Sequence, residues 1–358
     1  MGGGMSTLPL EKIPYMHWGV ISRFNYRGDK PLPVKKWDML LEHFAYISSV
    51  RGERPRGADP LEEVVKGADY AIVVADSSGL ADSPFSVEPK ARELKGEAFA
   101  IVNRYPPMAR VVDEELLPKI EERLKGSRLA LGICLVAFTR RYAERVEACS
   151  PSELLKLLEV TARGLEACWS SAKAKGFSSA PAYVFFNLGE KAGGSVRRLH
   201  TQVYVDLTQD GYGRALKSVL QAFSGSCPLC EEEHEERLVY SGKHTMLWAS
   251  RAPRRNLHLR FTVKRHVEDL TKLSGSELRE LAELLVKAAK ALAAAIGHVE
   301  GNIVFYQRPM GHAGSFHFFG EILPYESIGG FELLEHARIC RVAPEEAAGR
   351  LRRAVQSF

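Results

Sequence analysis

The amino-acid sequence predicts an α+β fold made of two similar halves. Two stretches read alike, one from Leu129 and the other from Asn256: an apolar, strand-like run ends in Phe-Thr, and a basic cluster and an amphipathic helix follow. A strand, a glycine-bearing turn and another strand then come in the same order. Chance similarity within one α+β domain is the alternative, but the ordered recurrence favours an internal duplication. We therefore expect a first domain over residues 1–208 and a second over 209–358.

Both predicted long helices begin with the same capping motif. Ser150-Pro-Ser-Glu153 opens the first helix and Ser274-Gly-Ser-Glu277 opens the second. In such a motif the serine oxygen accepts a hydrogen bond from a backbone N–H that the helix leaves without a partner. The glutamate three residues later accepts one from the serine N–H. Leucines recur beyond each cap at helical spacing, which predicts one apolar face per helix.

Composition excludes several classes of protein. A chain of 358 residues that is 45% hydrophobic and 26% charged is typical of a folded globular protein. It contains no run of about 18–20 apolar residues of the kind that spans a membrane, and its first residues do not resemble a secretory signal. We therefore expect a cytoplasmic protein without a membrane partner. The net charge of +5, without a dense Lys/Arg tract, favours an anionic small substrate over nucleic acid. Scarce Asn and Gln suggest a thermophilic source.

One glycine-rich segment carries the residues best suited to chemistry. Gly193 and Gly194 precede Ser195, and paired glycines allow backbone N–H groups to approach an anion closely. His200 and Gln202 lie two residues apart on a predicted strand and so point to one face. That layout suits attack of an imidazole on phosphorus, with the glutamine amide donating to a non-bridging oxygen. A structural role for this histidine is the alternative.

The same segment resembles the active-site stretch of galactose-1-phosphate uridylyltransferases, the transferase branch of the histidine-triad superfamily. The resemblance rests on Asn187, on the glycines and serine that follow it, and on the His-x-Gln at residues 200–202. In that family the second histidine of His-Pro-His-x-Gln is the nucleophile, and the glutamine marks transfer rather than hydrolysis. The first histidine is Arg198 here, and the proline is Leu199. The resemblance implies that His200 and Gln202 are catalytic.

The resemblance also implies a set of substrate-binding residues. It places Asn187, Gly193, Gly194, Ser195 and Arg198 in the substrate site. For Arg198 two interpretations stay open: its charge offsets that of a phosphate, or it is a solvated replacement for the histidine.

Further matches extend the resemblance over roughly residues 40–352. Arg51 and Arg54 match an Arg-x-x-Arg-Pro motif whose arginines bind phosphates, and two guanidiniums can hold a diphosphate. Asn103 lies in a segment similar to the strand whose asparagine approaches the nucleotide. Near the C-terminus, Gly-Gly-Phe-Glu332 resembles the family's closing segment, whose glutamate contacts the hexose. The resemblance therefore implies a homodimer in which Glu332 reaches the partner's active site.

A Cys-x-x-Cys pair opens the second half. Cys227-Pro-Leu-Cys230 alone fits a redox pair, a zinc site or an accidental pair of reduced thiols. His266 follows the Phe-Thr strand, and His317 lies on the strand that matches that of His200, so two cysteines and two histidines form a tetrahedral zinc set. The family's zinc site is built alike. We expect one structural zinc per chain.

Aligning the two halves predicts a division of labour. When the two capped helices are aligned, Tyr142 corresponds to His266. When the strands that follow are aligned, Arg198 corresponds to His317. The first half thus lacks the metal ligands, including any Cys-x-x-Cys, and keeps the candidate nucleophile. The second half keeps the ligands but has Phe319 at the position of the nucleophile.

The resemblance as a whole implies two tandem histidine-triad-like domains with antiparallel sheets and flanking helices. The implied activity moves UMP from UDP-glucose to galactose 1-phosphate, or to a related sugar 1-phosphate, by a ping-pong mechanism through nucleotidyl-His200. The reactive tautomer requires the other ring nitrogen to donate to a backbone carbonyl, for which that of Arg198 is suitably placed. The alternatives are an adenylyltransferase or dinucleotide phosphorylase, and a non-catalytic nucleotide-binding protein. Phe331 and Arg338 replace a Tyr and a Gln of the family, which leaves the sugar open.

Overall fold

The computed structural model describes most of the chain and all of its second half except three residues. The described residues are 5–7, 20–21, 26, 31–49, 52, 59–68, 71–75, 96–112, 114–125, 127–297, 300–335 and 337–358. Within them, no helix has the length and apolar composition needed to cross a membrane.

The strands belong to three sheets. In chain order they are β1 (Met5–Thr7), β2 (Val20–Ile21), β3 (Val34–Asp38), β4 (His43–Ile47), β5 (Ala71–Ala75), β6 (Ala98–Val102), β7 (Val111–Val112), β8 (Arg128–Leu129), β9 (Gly132–Thr139), β10 (Ala182–Leu188), β11 (His200–Asp206), β12 (Leu238–Ser241), β13 (Thr245–Ala249), β14 (Leu259–Val263), β15 (Gly301–Tyr306) and β16 (Phe319–Pro324).

The helices include two long ones and several short ones. They are α1 (Pro60–Glu63), α2 (Leu117–Leu124), α3 (Pro151–Ala174), α4 (Arg214–Ala222), α5 (Pro228–Glu231), α6 (Gly275–Ile296), α7 (Gly330–Glu335) and α8 (Pro344–Val355). Single turns of 3₁₀ helix occur at Glu114–Leu116, Val146–Ala148, Glu235–Arg237 and Leu270–Lys272, and a π-helical turn at Val64–Ala68.

A single 11-stranded antiparallel sheet runs through both halves. Its order is β1-β5-β6-β9-β11-β10-β15-β16-β14-β13-β12, so the strand order on one side of the β10–β15 pair is repeated on the other. Phe185 of β10 lies opposite Val304 of β15 at this central pair. Two small sheets, β2-β7 and β4-β3-β8, lie apart from it. Because the sheet is continuous, the division into two domains at residues 208 and 209 stays a prediction.

The long helices α3 and α6 begin with the predicted capping boxes, and these agree in their hydrogen bonds. Both boxes are complete, with the serine oxygen and the glutamate carboxylate each accepting a backbone N–H. An arginine binds each glutamate, Arg141 to Glu153 and Arg265 to Glu277. Each arginine also donates to a carbonyl just before the helix. The internal duplication therefore extends to individual side-chain contacts.

The two capped helices bury their leucines in one hydrophobic core. The helices contact each other, and the predicted apolar face of each is buried. The leucines concerned are Leu154, Leu157, Leu158, Leu165, Leu278, Leu281, Leu285 and Leu292. At about 1.5–3 kcal/mol per buried leucine side chain, this face rather than helix propensity holds the helices in place. The predicted α+β class is confirmed.

Candidate active site and metal site

The candidate nucleophile is buried and its tautomer is fixed. His200 begins β11, and its side chain is 6% exposed. Its Nδ1 lies 2.7 Å from the carbonyl oxygen of Arg198, as the sequence predicts. A carbonyl oxygen can only accept, so Nδ1 carries the proton and Nε2 holds the lone pair. This neutral form is the one that can attack an electrophile through Nε2.

A cavity beside His200 brings together four of the predicted site residues, which are Asn103, Ser195, His200 and Gln202. Other elements complete its wall, and its remaining lining residues are Pro60, Leu61, Ile101, Arg104, Tyr105, Val136 and Val196. Arg104 and Tyr105 follow Asn103 directly, and this adjacency is the signal that could have found them. Arg51 and Arg54, which the resemblance assigns to phosphate binding, lie outside the described residues, so their role stays a prediction.

The amide of Gln202 is oriented by a neighbour on its own strand. Gln202 is 6% exposed, and its Oε1 accepts a hydrogen bond from the Tyr204 hydroxyl at 2.9 Å. Because Oε1 is the accepting end of the amide, Nε2 is the donating end. The residues that line the cavity therefore include an imidazole with a lone pair on Nε2 and an amide with an N–H donor, and this combination suits displacement at phosphorus.

The predicted glycine turn requires glycine and is held by Asn187. Gly193 has φ +89°, and a Cβ on Gly194 would lie 2.7 Å from the carbonyl oxygen of Gly189. The Asn187 amide nitrogen donates to the carbonyl of Gly193 at 3.4 Å, and its oxygen accepts from Asn302 of β15 at 2.9 Å. Asn187 thus connects the turn to the second half. Ser195, which lines the cavity, follows the turn directly.

Arg198 corrects two predictions. It is 1% exposed, so it is not a solvated replacement for histidine. Its Nε donates to Asp59 at 2.8 Å, and its Nη2 binds both Asp59 and Glu62, at 2.7 and 2.6 Å. Its Nη1 donates to the carbonyls of Thr139 and Arg140 at 2.9 and 2.8 Å. Four of the five guanidinium N–H donors are thus hydrogen-bonded within the protein, and the charge is paired with two carboxylates, so it does not serve to offset that of a substrate phosphate.

Glu332 contacts its own segment rather than the cavity at His200. It lies in α7, where its carboxylate accepts backbone N–H groups from Gly329 and Ile339 and pairs with Arg338 at 3.2 Å. These backbone donors hold the pKa of Glu332 below its ordinary value. The predicted contact of Glu332 with a hexose in a partner's site stays a prediction.

The four predicted metal ligands lie together in the second half. Their ligand atoms, from Cys227, Cys230, His266 and His317, all lie within 4.8 Å of one another. The Cys230 sulfur is 3.1 Å from His266 Nε2, and the Cys227 sulfur is 3.4 Å from His317 Nδ1. Ligands around a tetrahedral zinc ion have sulfur-to-nitrogen distances of about 3.5 Å, given typical zinc bond lengths. The residues fit a zinc ion.

The ring of His317 is oriented for metal binding by a backbone contact. Its Nε2 lies 2.7 Å from the carbonyl oxygen of Val263, so Nε2 carries the proton and the lone pair of Nδ1 faces the thiols. Burial lowers the pKa of His317 below its ordinary value, which keeps the ring neutral as a ligand must be.

Aromatic rings fill the second half where the first half has its cavity. Phe319, at the position that corresponds to His200, packs with Phe223, Phe316 and Trp248, and its ring stacks on Tyr306 with centroids 4.4 Å apart. Among the described residues of the second half, the position that corresponds to His200 is thus occupied by a packed aromatic ring.

Comparison with known proteins identifies the fold. No protein-family model matches the sequence, and no curated protein matches it. Among solved structures, a uridylyltransferase is similar with a TM-score of 0.68 and 22% identity, over 91% of this chain and 99% of that one. An ADP-glucose phosphorylase from Arabidopsis thaliana with bound ADP-glucose has a TM-score of 0.63 and 18% identity, over 89% and 98%. A GalT-like protein from the same plant has a TM-score of 0.62 and 18% identity, over 90% of this chain and 99% of that one. The chain thus has the fold of the uridylyltransferases, as the resemblance implied.

Proposed function

We propose that the protein is a nucleotidyltransferase that forms a covalent nucleotidyl-imidazole at His200. The observation that carries this proposal is the hydrogen bond from Nδ1 of His200 to the carbonyl of Arg198, which makes Nε2 the nitrogen that holds the lone pair, on a side chain that lines the cavity. Gln202 and Ser195 in the same wall supply the polar groups that a phosphate requires.

The proposed reaction has two displacements. Nε2 of His200 attacks the α-phosphorus of a nucleoside-diphosphate sugar; the phosphorus–nitrogen bond forms as the bond to the bridging oxygen breaks, and the sugar 1-phosphate leaves. A second sugar 1-phosphate then attacks the phosphorus, and the imidazole leaves. The imidazole becomes cationic in the intermediate, so its bond to the Arg198 carbonyl becomes charge-assisted and stronger. Gln202 donates to the non-bridging oxygen as charge develops.

UDP-glucose and galactose 1-phosphate are the proposed substrates. The uridylyltransferase with the same fold supports this choice, as do the sequence matches around His200. An ADP-glucose phosphorylase is the second candidate, since the plant enzyme of that name has the same fold and contains ADP-glucose. It would use inorganic phosphate as the acceptor.

Zinc in the second half is part of the proposal. Cys227, Cys230, His266 and His317 would supply four ligands, so no position is left for a catalytic water. Zinc there would fix α5 to the loops that follow β14 and precede β16, and it supplies no group to the reaction at His200.

A homodimer is also proposed, with Glu332 completing the partner's site. It is supported by exposed apolar side chains in α7, where Phe331 is 57% and Leu334 is 82% exposed. Another exposed apolar group lies at the β3–β4 turn, formed by Met39 and Leu40. Adjacent exposed apolar side chains of this kind mark interaction surfaces in soluble proteins.

The activity is tested with donors labelled in the α-phosphate. Purified protein receives UDP-glucose or ADP-glucose together with glucose 1-phosphate, galactose 1-phosphate or inorganic phosphate. Product chromatography then identifies the acceptor. Transfer of UMP to galactose 1-phosphate supports the first candidate, and ADP formation from ADP-glucose and phosphate supports the second. Tight nucleotide binding without any transfer would leave only a non-catalytic nucleotide-binding protein.

A further inference from the structure

A four-residue segment in the first half corresponds to the Cys-x-x-Cys segment of the second. Asp59-Pro-Leu-Glu62 has the same central pair as Cys227-Pro-Leu-Cys230. The two segments also fold alike. Asp59 and Cys227 are the N-caps of α1 and α5, each helix has proline at its first turn, and the following leucine is 5% exposed in both. Asp59 and Glu62 therefore occupy the positions of the two metal-binding cysteines.

The strand pairing makes the other two positions equivalent as well. The β9–β11 and β14–β16 pairings place Phe138 and Thr262 at corresponding positions. Tyr142 and His266 each lie four residues further on. The strand pairing thus gives the same correspondence between the halves as the alignment of the capped helices. Arg198 and His317 are the fourth pair of corresponding residues.

Arg198 and His317 each donate a hydrogen bond to a backbone carbonyl, and the two carbonyls lie at equivalent positions in the two halves. Nη1 of Arg198 donates to the carbonyl of Thr139 at 2.9 Å, and Nε2 of His317 donates to that of Val263 at 2.7 Å. Thr139 and Val263 are equivalent in the same register. The two side chains therefore enter the same space from the same direction in the two halves.

We infer that the guanidinium of Arg198 is the metal-free counterpart of the zinc ion in the second half. The residues at the three remaining ligand positions all contact it. Asp59 and Glu62 bind it at 2.7 and 2.6 Å, and the Tyr142 ring centroid lies 5.2 Å from Cζ. A buried cation needs partners of opposite charge, and a planar guanidinium accepts carboxylates along its edge and an aromatic ring on its face. In both halves one cation thus joins a short helix, α1 or α5, to the segment that precedes a strand, β11 or β16.

This replacement has a consequence for the reaction, and that part rests on the proposed function. Arg198 holds α1, which lines the cavity through Pro60 and Leu61. The backbone carbonyl of Arg198 accepts the hydrogen bond from Nδ1 of His200. Arg198 is therefore a positioning residue: its guanidinium holds the cavity wall and the backbone segment whose carbonyl sets the tautomer of His200.

Exchanging the two clusters tests the inference through metal content, without reference to activity. The forward variant combines Asp59→Cys, Glu62→Cys, Tyr142→His and Arg198→His. We expect its zinc content to double, from one to two per chain after dialysis, and its cobalt form to double the absorption of cobalt–thiolate bonds. The matched control has Asp59→Ser and Glu62→Ser with the same two histidines, and we expect it to keep one zinc. A folded forward variant with one zinc overturns the inference.

The reverse variant guards against failure of the forward one to fold. It combines Cys227→Asp, Cys230→Glu, His266→Tyr and His317→Arg. We expect a folded protein without zinc whose melting temperature does not change on adding a chelator, whereas that of the wild type falls. Failure of both variants to fold, judged by circular dichroism with zinc supplied, overturns the inference too. Because neither readout uses turnover, an absence of uridylyl transfer would leave this result unaffected.

Discussion

The Nδ1 atom of His200 lies 2.7 Å from the carbonyl oxygen of Arg198, two residues earlier in the chain. This contact joins the candidate nucleophile to a residue whose guanidinium is held by α1 and by two backbone carbonyls. The proton position on the imidazole is therefore set by a residue whose own position is fixed by several contacts. The predictions below depend on that arrangement and on its counterpart in the second half.

Gln202 should support transfer without being the nucleophile. Removing one donor of this kind typically slows a reaction by ~10²–10³, so Gln202→Ala should slow sugar exchange by that amount while covalent labelling still reaches completion. Gln202→His restores the third histidine typical of the hydrolytic branch, and it should raise the ratio of nucleotide hydrolysis to transfer. Tyr204→Phe keeps the amide and removes only the hydroxyl that orients it, so it should slow sugar exchange less than Gln202→Ala does. An unchanged ratio in Gln202→His would count against the proposed role.

Metal should sit only in the second half, as one zinc per chain. His317→Ala and Cys227→Ser should lose zinc and melt earlier, because metal binding at such a site is linked to folding. His200→Ala should keep its zinc and nearly wild-type stability. Elemental analysis and thermal melting measure both quantities. Two metals per chain in the wild type, or loss of zinc from His200→Ala, would contradict the prediction.

Acid should destabilise the protein through both helix caps. Hydrogen bonds from Arg141 and Arg265 lower the pKa of Glu153 and Glu277 to about 2, from an ordinary value of 4.5. A carboxyl whose pKa is lower in the folded state stabilises that state above the unfolded pKa, and the contribution is lost as pH falls from 4.5 towards 2. The pair Glu153→Gln and Glu277→Gln keeps an amide for the cap but removes the titrating group.

The check is urea unfolding between pH 2 and 6. The free energy of unfolding of the wild type should fall more steeply with acid than that of the paired variant, and the two curves should converge at the acid end. Parallel curves over the whole range would show that these carboxyls do not set the acid dependence.

Subunit complementation should reveal whether active sites are shared. Glu332 contacts Arg338 and backbone groups of its own segment, and it does not line the cavity at His200. If it completes the partner's site, a mixture of inactive His200→Ala and Glu332→Ala chains should regain part of the exchange activity once subunits exchange. Light scattering on the wild type should give the mass of two chains. A fully active monomer would rule out the shared site.

Local sequence signals predicted much of this structure. Ser150, Glu153 and their counterparts at 274 and 277 define both long helices because a capping box needs residues only three apart. The cluster of Cys227, Cys230, His266 and His317 followed from residue type and from the repeat. His200 and Gln202 share a cavity wall because alternate residues of a strand share a face.

Features that depend on distant partners were beyond such signals. The β10–β15 pairing that merges both halves into one sheet depends on an edge-to-edge fit that no short motif encodes. The burial of Arg198 depends on Asp59 and Glu62, more than a hundred residues earlier. A search for cysteines could not find the correspondence of Asp59 and Glu62 to Cys227 and Cys230, because carboxylates and not thiols occupy these positions in the first half.

Intact mass after incubation with the donor tests the central claim most directly. On mixing with UDP-glucose, or with ADP-glucose for the second candidate, and no acceptor, the protein should gain one nucleoside monophosphate per chain. Peptide sequencing should place it on His200, and adding a sugar 1-phosphate or phosphate should remove it. His200→Ala should gain nothing and lose exchange by several orders of magnitude, because a missing nucleophile has no substitute. Label on another residue, or a His200→Ala variant that keeps more than about a tenth of wild-type exchange, would contradict the account.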